Sequence, residues 1–377
     1  MQIKKLKFYD DEYKWKLAEM DFLPNLNLLV GVSGVGKTRI LRAIKSLKSI
    51  ANGGSLNGVK WSVCFLADND IEYTWSGEFE TKEGNILLDG NSEKDEQVKL
   101  IYERLIGNNE VIVSRKDFEI IFNGKQTPKL SPFESVVELL KQEEQIAPIK
   151  KSLDKIILDD YINIDKVWSL PVSIFKKYEK AQIHTLKESS LPIEAKLSII
   201  YRAFTEEFNK IKKDFISVFP NIIDIKIDGI KDDDDIPIVL SELLKNFATI
   251  SIKERGVEDW IENISSGMSK TLMYISQLYL APDNSIILID EFENSLGVNC
   301  LDSVTELVLN NNKLQFIITS HHPYIINNIS PAYWKIVTRK AGLVTVKNSE
   351  DFHISKSRQK AFIDLINVLE EDADIQH

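Results

Sequence analysis

Gly31-Val32-Ser33-Gly34-Val35-Gly36-Lys37-Thr38 fits the phosphate-loop pattern G-x-x-x-x-G-K-[ST]. Before it, Leu26-Asn27-Leu28-Leu29-Val30 is short and apolar, which predicts a buried strand. After it, Arg39 to Leu47 carries apolar residues at helical spacing. Glycines let successive N–H groups face one anion, and a helix N-terminus adds partial positive charge. In this frame Gly31, Ser33, Gly34, Val35, Gly36, Lys37, Thr38 and Arg39 form the candidate cradle for a triphosphate. Lys37 is expected to reach the β- and γ-phosphates, and the Thr38 hydroxyl to ligate Mg²⁺.

Working outward, the 377 residues are enough for a large core and, by length alone, two or three domains. No apolar stretch approaches the ~18 residues of a membrane span. The basic start, Met1 to Lys7, runs directly into Asp10, Asp11 and Glu12 without an apolar signal region. Cys64 and Cys300 provide no disulfide framework, so buried thiols in a reducing cytoplasm are expected, with no membrane partner. A formal net charge of −10 argues against nonspecific coating of nucleic acid. Lysine clusters at 150–155, 176–180 and 210–213 read as a solvated helix surface or as a local DNA contact.

The opening segment predicts a β-hairpin turning at Asp10-Asp11-Glu12, with Tyr13, Trp15 and Leu17 alternating after it. Strands are expected at Lys60–Ala67, Ile71–Phe79, Asn85–Leu88, Glu110–Arg115 and Phe118–Phe122, forming an antiparallel edge. From about Ser131 to Phe219 the character is helical. Ser131-Pro132-Phe133-Glu134 reads as a helix start, and Leu191 to Val218 as one long amphipathic helix. A strand at Ile222–Ile227 follows Pro220. The acidic run Asp232–Asp235 lacks EF-hand spacing and reads as a solvated turn.

Ser285-Ile286-Ile287-Leu288-Ile289-Asp290-Glu291 is an apolar strand ending in two acids. At the C-terminal end of a parallel strand, Asp290 would hold Mg²⁺ and Glu291 would take a proton from, or orient, an attacking water. Upstream, Ile264-Ser265-Ser266-Gly267 opens an amphipathic helix, a second anion site at a helix N-terminus. Downstream, Phe316–Ser320 is another buried strand, ending in His321-His322-Pro323. His321 could hydrogen-bond a γ-phosphate. Adjacent residues of an extended chain point opposite ways, which speaks against joint metal ligation by the two histidines.

These pieces in this order resemble the ABC-type ATPases, and more closely the SMC, RecF and OLD-like branch of AAA family ATPases. The resemblance covers residues 1–130 and 220–340. It implies an α/β P-loop NTPase fold of ABC/SMC-head type: a mixed central sheet with an antiparallel β edge and a helical insertion. The expected division is a nucleotide-binding lobe (1–130), the insertion (131–220), a second lobe (221–345) and a helical tail (346–377). Ser265-Ser266-Gly267-Met268 stands at the family's signature, with Met268 in place of its glutamine. Asp290-Glu291 stands at the Walker B pair, Glu293–Gly297 at the D-loop and His321 at the switch histidine.

The resemblance therefore implies catalytic roles for Glu291 and His321, and metal ligation by Thr38 and Asp290. It implies nucleotide contacts from Ser265, Ser266 and Gly267 of one subunit to the ATP of the other. ATP and Mg²⁺ are the implied cofactors, and a homodimer or higher homo-oligomer the implied assembly. Compact OLD-like ATPases suggest antiviral defence through a separately encoded nuclease or toxin, because Ser357–Glu371 reads as one helix without room for a Toprim nuclease. The alternative is a RecF- or SMC-like factor in DNA repair, with nucleic acid as a possible partner. A transporter motor is disfavoured by the long insertion, and a GTPase by the lack of an Asn-Lys-x-Asp motif.

Overall fold

The computed structural model describes residues 1–82, 97–159, 167–228, 247–262, 264–294, 298–355 and 357–374. The strand expected at Asn85–Leu88, the run Asp232–Asp235 and Ser295–Gly297 of the D-loop lie outside them. The chain divides into two units. The first comprises Met1–Asp159, Asn284–Phe292 and Asn312–His377; the second, Asp160–Asp283 and Glu293–Asn311. No helix among the described residues is long and apolar enough to cross a membrane.

The first unit is built on a mixed sheet of fourteen strands among the described residues. Its antiparallel part contains β1 (Gln2–Asp10), β2 (Trp15–Asp21), β4 (Val59–Leu66), β5 (Glu72–Phe79), β6 (Leu100–Gly107), β7 (Glu110–Lys116), β8 (Glu119–Phe122) and β9 (Lys125–Gln126). Its parallel core contains β3 (Leu26–Val30), β10 (Ile156–Asp159), β14 (Ile286–Ile289), β15 (Gln315–Thr319) and β16 (Trp334–Lys340). β17 (Leu343–Asn348) joins the two parts, antiparallel to β16 and parallel to β2. The strand order is β10-β14-β15-β3-β16-β17-β2-β1-β4-β5-β6-β7-β8-β9.

The two parts read differently because they bury different faces. β3, β14 and β15 are buried at every position, so their sequences are continuous apolar runs. β4 and β5 alternate: Trp61, Val63, Phe65, Tyr73, Trp75 and Phe79 face the core. Trp61 and Trp75 meet nearly edge to face, with ring centroids 5.1 Å apart. The helix after the phosphate loop, α1 (Lys37–Ala51), buries Ile40, Leu41, Ile44 and Leu47.

The structure corrects several expectations. β6 lies where no strand was expected, because Glu103 faces the core and breaks the apolar alternation. The segment Ser131-Pro132-Phe133-Glu134 does not start a helix. Its carbonyls are taken: Leu100 N donates to Pro132 O (2.8 Å), and Arg115 Nη1 and Nη2 to Glu134 O and Ser131 O (2.8 and 3.2 Å). The short helix α2 (Val136–Leu139) begins later, where the Ser135 hydroxyl accepts from Val137 N. It precedes α3 (Ala147–Asp154). β10 follows, a strand within the region expected to be helical.

The second unit holds a three-stranded sheet, β11 (Val167–Ser169), β13 (Phe247–Glu254) and β12 (Ile222–Asp228) in that order. Helices α4 (Val172–Tyr178) and α5 (Ile183–Lys187) precede α6 (Ile193–Ala203) and α7 (Thr205–Val218). The expected single helix over Leu191–Val218 is thus two. Phe204 leaves helical geometry (φ −133°, ψ 67°), and Tyr201 and Phe208 pack ring to ring across the break at 5.0 Å. α8 (Ser266–Leu280) packs on α6 and α7, and on α9 (Val298–Asn310). The first unit closes with α10 (Pro323–Asn328) and α11 (Arg358–Asp374).

One buried polar cluster fastens the antiparallel part. Glu103 Oε1 accepts from Trp75 Nε1 (2.9 Å) and Ser135 Oγ (2.5 Å), and Oε2 from Val136 N (2.9 Å). Arg115 Nη1 lies 4.0 Å from Glu103, and neither side chain reaches solvent. Burial pushes the Glu103 carboxyl above the usual carboxylate range, against the pull of Arg115. Removing one partner leaves the other charge buried alone, so Arg115→Leu is expected to cost about 3 kcal/mol. Urea unfolding measures this; an unchanged midpoint would show that the cluster contributes nothing.

Candidate functional site

The site begins with register. β3 lies between β15 and β16, both parallel to it, with Leu29 paired to Thr319 on one side and Lys335 on the other. The ends of these strands therefore meet at one sheet edge, where loops carry function. Beyond Val30 the chain passes so close to β16 that a Cβ at Gly31 would lie 2.5 Å from the Val337 carbonyl oxygen. Gly34 (φ 85°) and Gly36 (φ 107°) take left-handed geometry, and Gly36 caps α1. Lys37 Nζ folds back to donate to the carbonyls of Gly31 (2.8 Å) and Val32 (3.1 Å). Ser33 and Gly34 are exposed at the tip, and Val35 is buried beneath it.

The second half of the site comes from β14 and β15. The Thr38 hydroxyl donates to Asp290 Oδ1 at 3.1 Å, and the Thr319 hydroxyl to the same oxygen at 2.6 Å. Glu291 takes left-handed geometry (φ 48°) with its side chain exposed; its N–H donates to Thr319 Oγ1 (2.8 Å). Phe292 N donates to the Thr319 carbonyl (3.0 Å), and its ring is buried. His321 is exposed just past β15. His322 N donates to Ser320 Oγ (3.1 Å), and His322 Nδ1 accepts from Tyr324 N (3.3 Å) to cap α10. Among the described residues no cluster of three or more His, Cys, Asp or Glu side chains could hold a metal ion.

The structure thus brings together Gly31–Thr38, Asp290, Glu291 and His321 at strand ends of the first unit. Arg39 points elsewhere: its guanidinium lies 5.5 Å from the Tyr13 ring centroid, lining a cavity of about 440 Å³ with Arg42, Trp15 and Asn57. Two further side chains, Thr319 and Arg339, join the site that the sequence reading did not name for it. Thr319 holds Asp290. Arg339 Nη1 donates to the Gly34 carbonyl (3.4 Å) and lines a cleft of about 490 Å³ with Ser33 and Lys340. Tyr13 faces Arg39. The only sequence signal for Thr319 was its place at the end of an apolar run; Arg339 had none.

Ser265, Ser266 and Gly267 belong to the second unit, at the start of α8. Ser265 is the N-cap, its hydroxyl accepting from Met268 N at 3.2 Å, and both serines are exposed. Lys270 is buried and donates to the Asn294 carbonyl at 2.6 Å, tying α8 to the start of the Glu293–Gly297 segment.

Residues 151–327 match a protein-family model described as "AAA domain, putative AbiEii toxin, Type IV TA system". That span contains Ser265, Asp290, Glu291 and His321, and leaves out the phosphate loop. No curated protein matches the chain. Among solved structures, an SMC head bound to the C-winged helix domain of ScpA is 14% identical, with a TM-score of 0.48, covering 92% of this chain and 97% of that one. The SMC head domain from Thermotoga maritima is 13% identical, with a TM-score of 0.45, covering 92% of this chain and 99% of its own.

The contact at Gly31 gives a direct test of the loop's frame. A methyl group there must push the loop off β16, so Gly31→Ala is expected to destabilise the fold by about 1–3 kcal/mol. A thermal melt matching wild type would show that the loop has slack against Val337.

Proposed function

We propose that the protein is an ATPase that dimerises around ATP and governs a separately encoded partner, in prokaryotic antiviral defence. The observation that carries the reading is the hydrogen bond from Thr38 to Asp290, which joins the phosphate loop to the acidic end of β14. With its proton on Asp290, the Thr38 hydroxyl keeps oxygen lone pairs for a cation. A hydroxyl and a carboxylate together are the hard oxygen donors that suit Mg²⁺. When bound, Mg²⁺ would neutralise charge on the phosphates; Thr38 and Asp290 are the residues that would hold it.

The chain's own groups supply the rest. Lys37, now on the carbonyls of Gly31 and Val32, is a cation that can exchange those contacts for phosphate oxygens. Loop N–H groups and the start of α1 hold the anion. Glu291, exposed at its turn, accepts the proton of a water that attacks the γ-phosphorus. The bond from that phosphorus to the bridging oxygen breaks, leaving ADP and phosphate. His321, exposed just past β15, would donate to the γ-phosphate. Tyr13 and Arg39 offer a planar face at a cavity beside α1, suited to a nucleobase.

Ser265–Gly267, exposed at a helix N-terminus in the second unit, would take the γ-phosphate held by a second copy. This reading accounts for two anion sites in one chain. The matched family's description, a putative toxin of a type IV toxin–antitoxin system, supports a paired system whose other member is a separate protein.

Two variants test the two halves of this reading. Lys37→Ala removes the cation and is expected to weaken ATP binding by at least about tenfold. Equilibrium dialysis with labelled ATP measures it, and affinity equal to wild type refutes the phosphate-loop assignment. Glu291→Gln is expected to keep ATP binding, stop turnover and accumulate a dimer. Light scattering that finds only monomer with ATP would sink the paired arrangement.

A further inference from the structure

We infer that Thr319 is a positioning residue that sets both acidic groups of the site through one hydroxyl. The inference deepens the ATPase reading and rests on it. Thr319 is the last residue of β15 and is 1% exposed. At such a position a valine of the same shape would bury more cheaply, because a buried hydroxyl without partners loses its hydrogen bonds to water. Here both of its capacities are used. The N–H of Glu291 can only donate, so Thr319 Oγ1 accepts it at 2.8 Å. Its own proton then goes to Asp290 Oδ1 at 2.6 Å. The Thr319 carbonyl adds a third tie by accepting from Phe292 N.

These ties bind three consecutive residues of the neighbouring strand end to one residue, two through its hydroxyl and the third through its carbonyl. The tie to Asp290 fixes the carboxylate oxygen to which Thr38 also donates, so the metal-facing pair is held by β15, the strand between β14 and β3. The tie to Glu291 N holds a left-handed residue that is not glycine, a geometry in which a Cβ crowds the backbone and which needs support. That turn presents the Glu291 side chain to solvent while Phe292 goes into the core. A single hydroxyl therefore links metal affinity to placement of the proton acceptor. In this role Thr319 acts through Asp290 and Glu291.

Thr319→Val removes the hydroxyl and keeps the shape; Thr319→Ser keeps the hydroxyl. Groups that orient metal ligands typically change metal affinity or activity about 10–100-fold when lost. For Thr319→Val, the Mg²⁺ concentration giving half-maximal tightening of ADP binding is expected to rise about tenfold, with ATP turnover falling at least as far. ADP affinity in EDTA, set by the phosphate loop, should stay within about twofold, and Thr319→Ser should restore both losses. The inference is overturned if the valine variant keeps wild-type Mg²⁺ dependence and turnover, or if serine fails to rescue. It is also overturned if the valine variant loses ADP affinity in EDTA together with its melting temperature, since that marks a general packing role. A wild-type protein that binds no nucleotide under any condition refutes the ATPase reading itself, a result separable from all of these.

Discussion

The placement of β3 between two parallel strands is the constraint on which the rest of the site depends. Leu28 pairs with Ile318 on one side and Trp334 on the other, so one register fixes where three chain segments end. A slip by one residue would turn every side chain of a strand to the opposite face. Because β3 and β15 are buried on both faces, such a slip would also disturb packing above and below the sheet. The register brings Thr38 within hydrogen-bond distance of Asp290, and Asp290 to Thr319. The close pass of Gly31 against Val337 is the same constraint seen from the loop: only a residue without a side chain leaves β3 at that point.

Local chemistry was legible in the sequence, and long-range chemistry was not. The phosphate-loop pattern, the hairpin at Asp10-Asp11-Glu12 and the helix after the loop follow from neighbours within a few residues. The antiparallel edge was legible from β-branched, partly alternating runs, whereas the mixed central sheet was expected only from the family resemblance. β6 was hidden because Glu103 occupies a core position, paired with groups distant in sequence. Ser131-Pro132 looked like a helix start because its local residues favour one; contacts from Leu100 and Arg115 outweigh that preference. The break at Phe204 was invisible because helical periodicity continues on both sides of it.

At the candidate site the same division holds. Glycines at positive φ and a lysine after them are local requirements, and the sequence displays them. Thr319 meets Asp290 and Glu291 only through sheet pairing, and Arg339 meets Gly34 only because β16 lies beside β3. Both residue types are common at strand ends, so composition marks neither. Charge patterning was also silent on Arg39, whose place in the loop motif suggested phosphate while its guanidinium lies against Tyr13.

The strand order also sets a timetable for synthesis. β1, β4, β5, β6 and β7 pair in antiparallel steps, mostly with near neighbours in the chain, and can fold as they leave the ribosome. β3 emerges before most of them but pairs only with β15 and β16, near the opposite end of the chain. At ordinary elongation rates that interval is on the order of tens of seconds, during which an apolar strand waits without its neighbours. Translation must run past Ile336 before the loop at Gly31 has a frame, so the loop's geometry depends on chain made long after its own sequence.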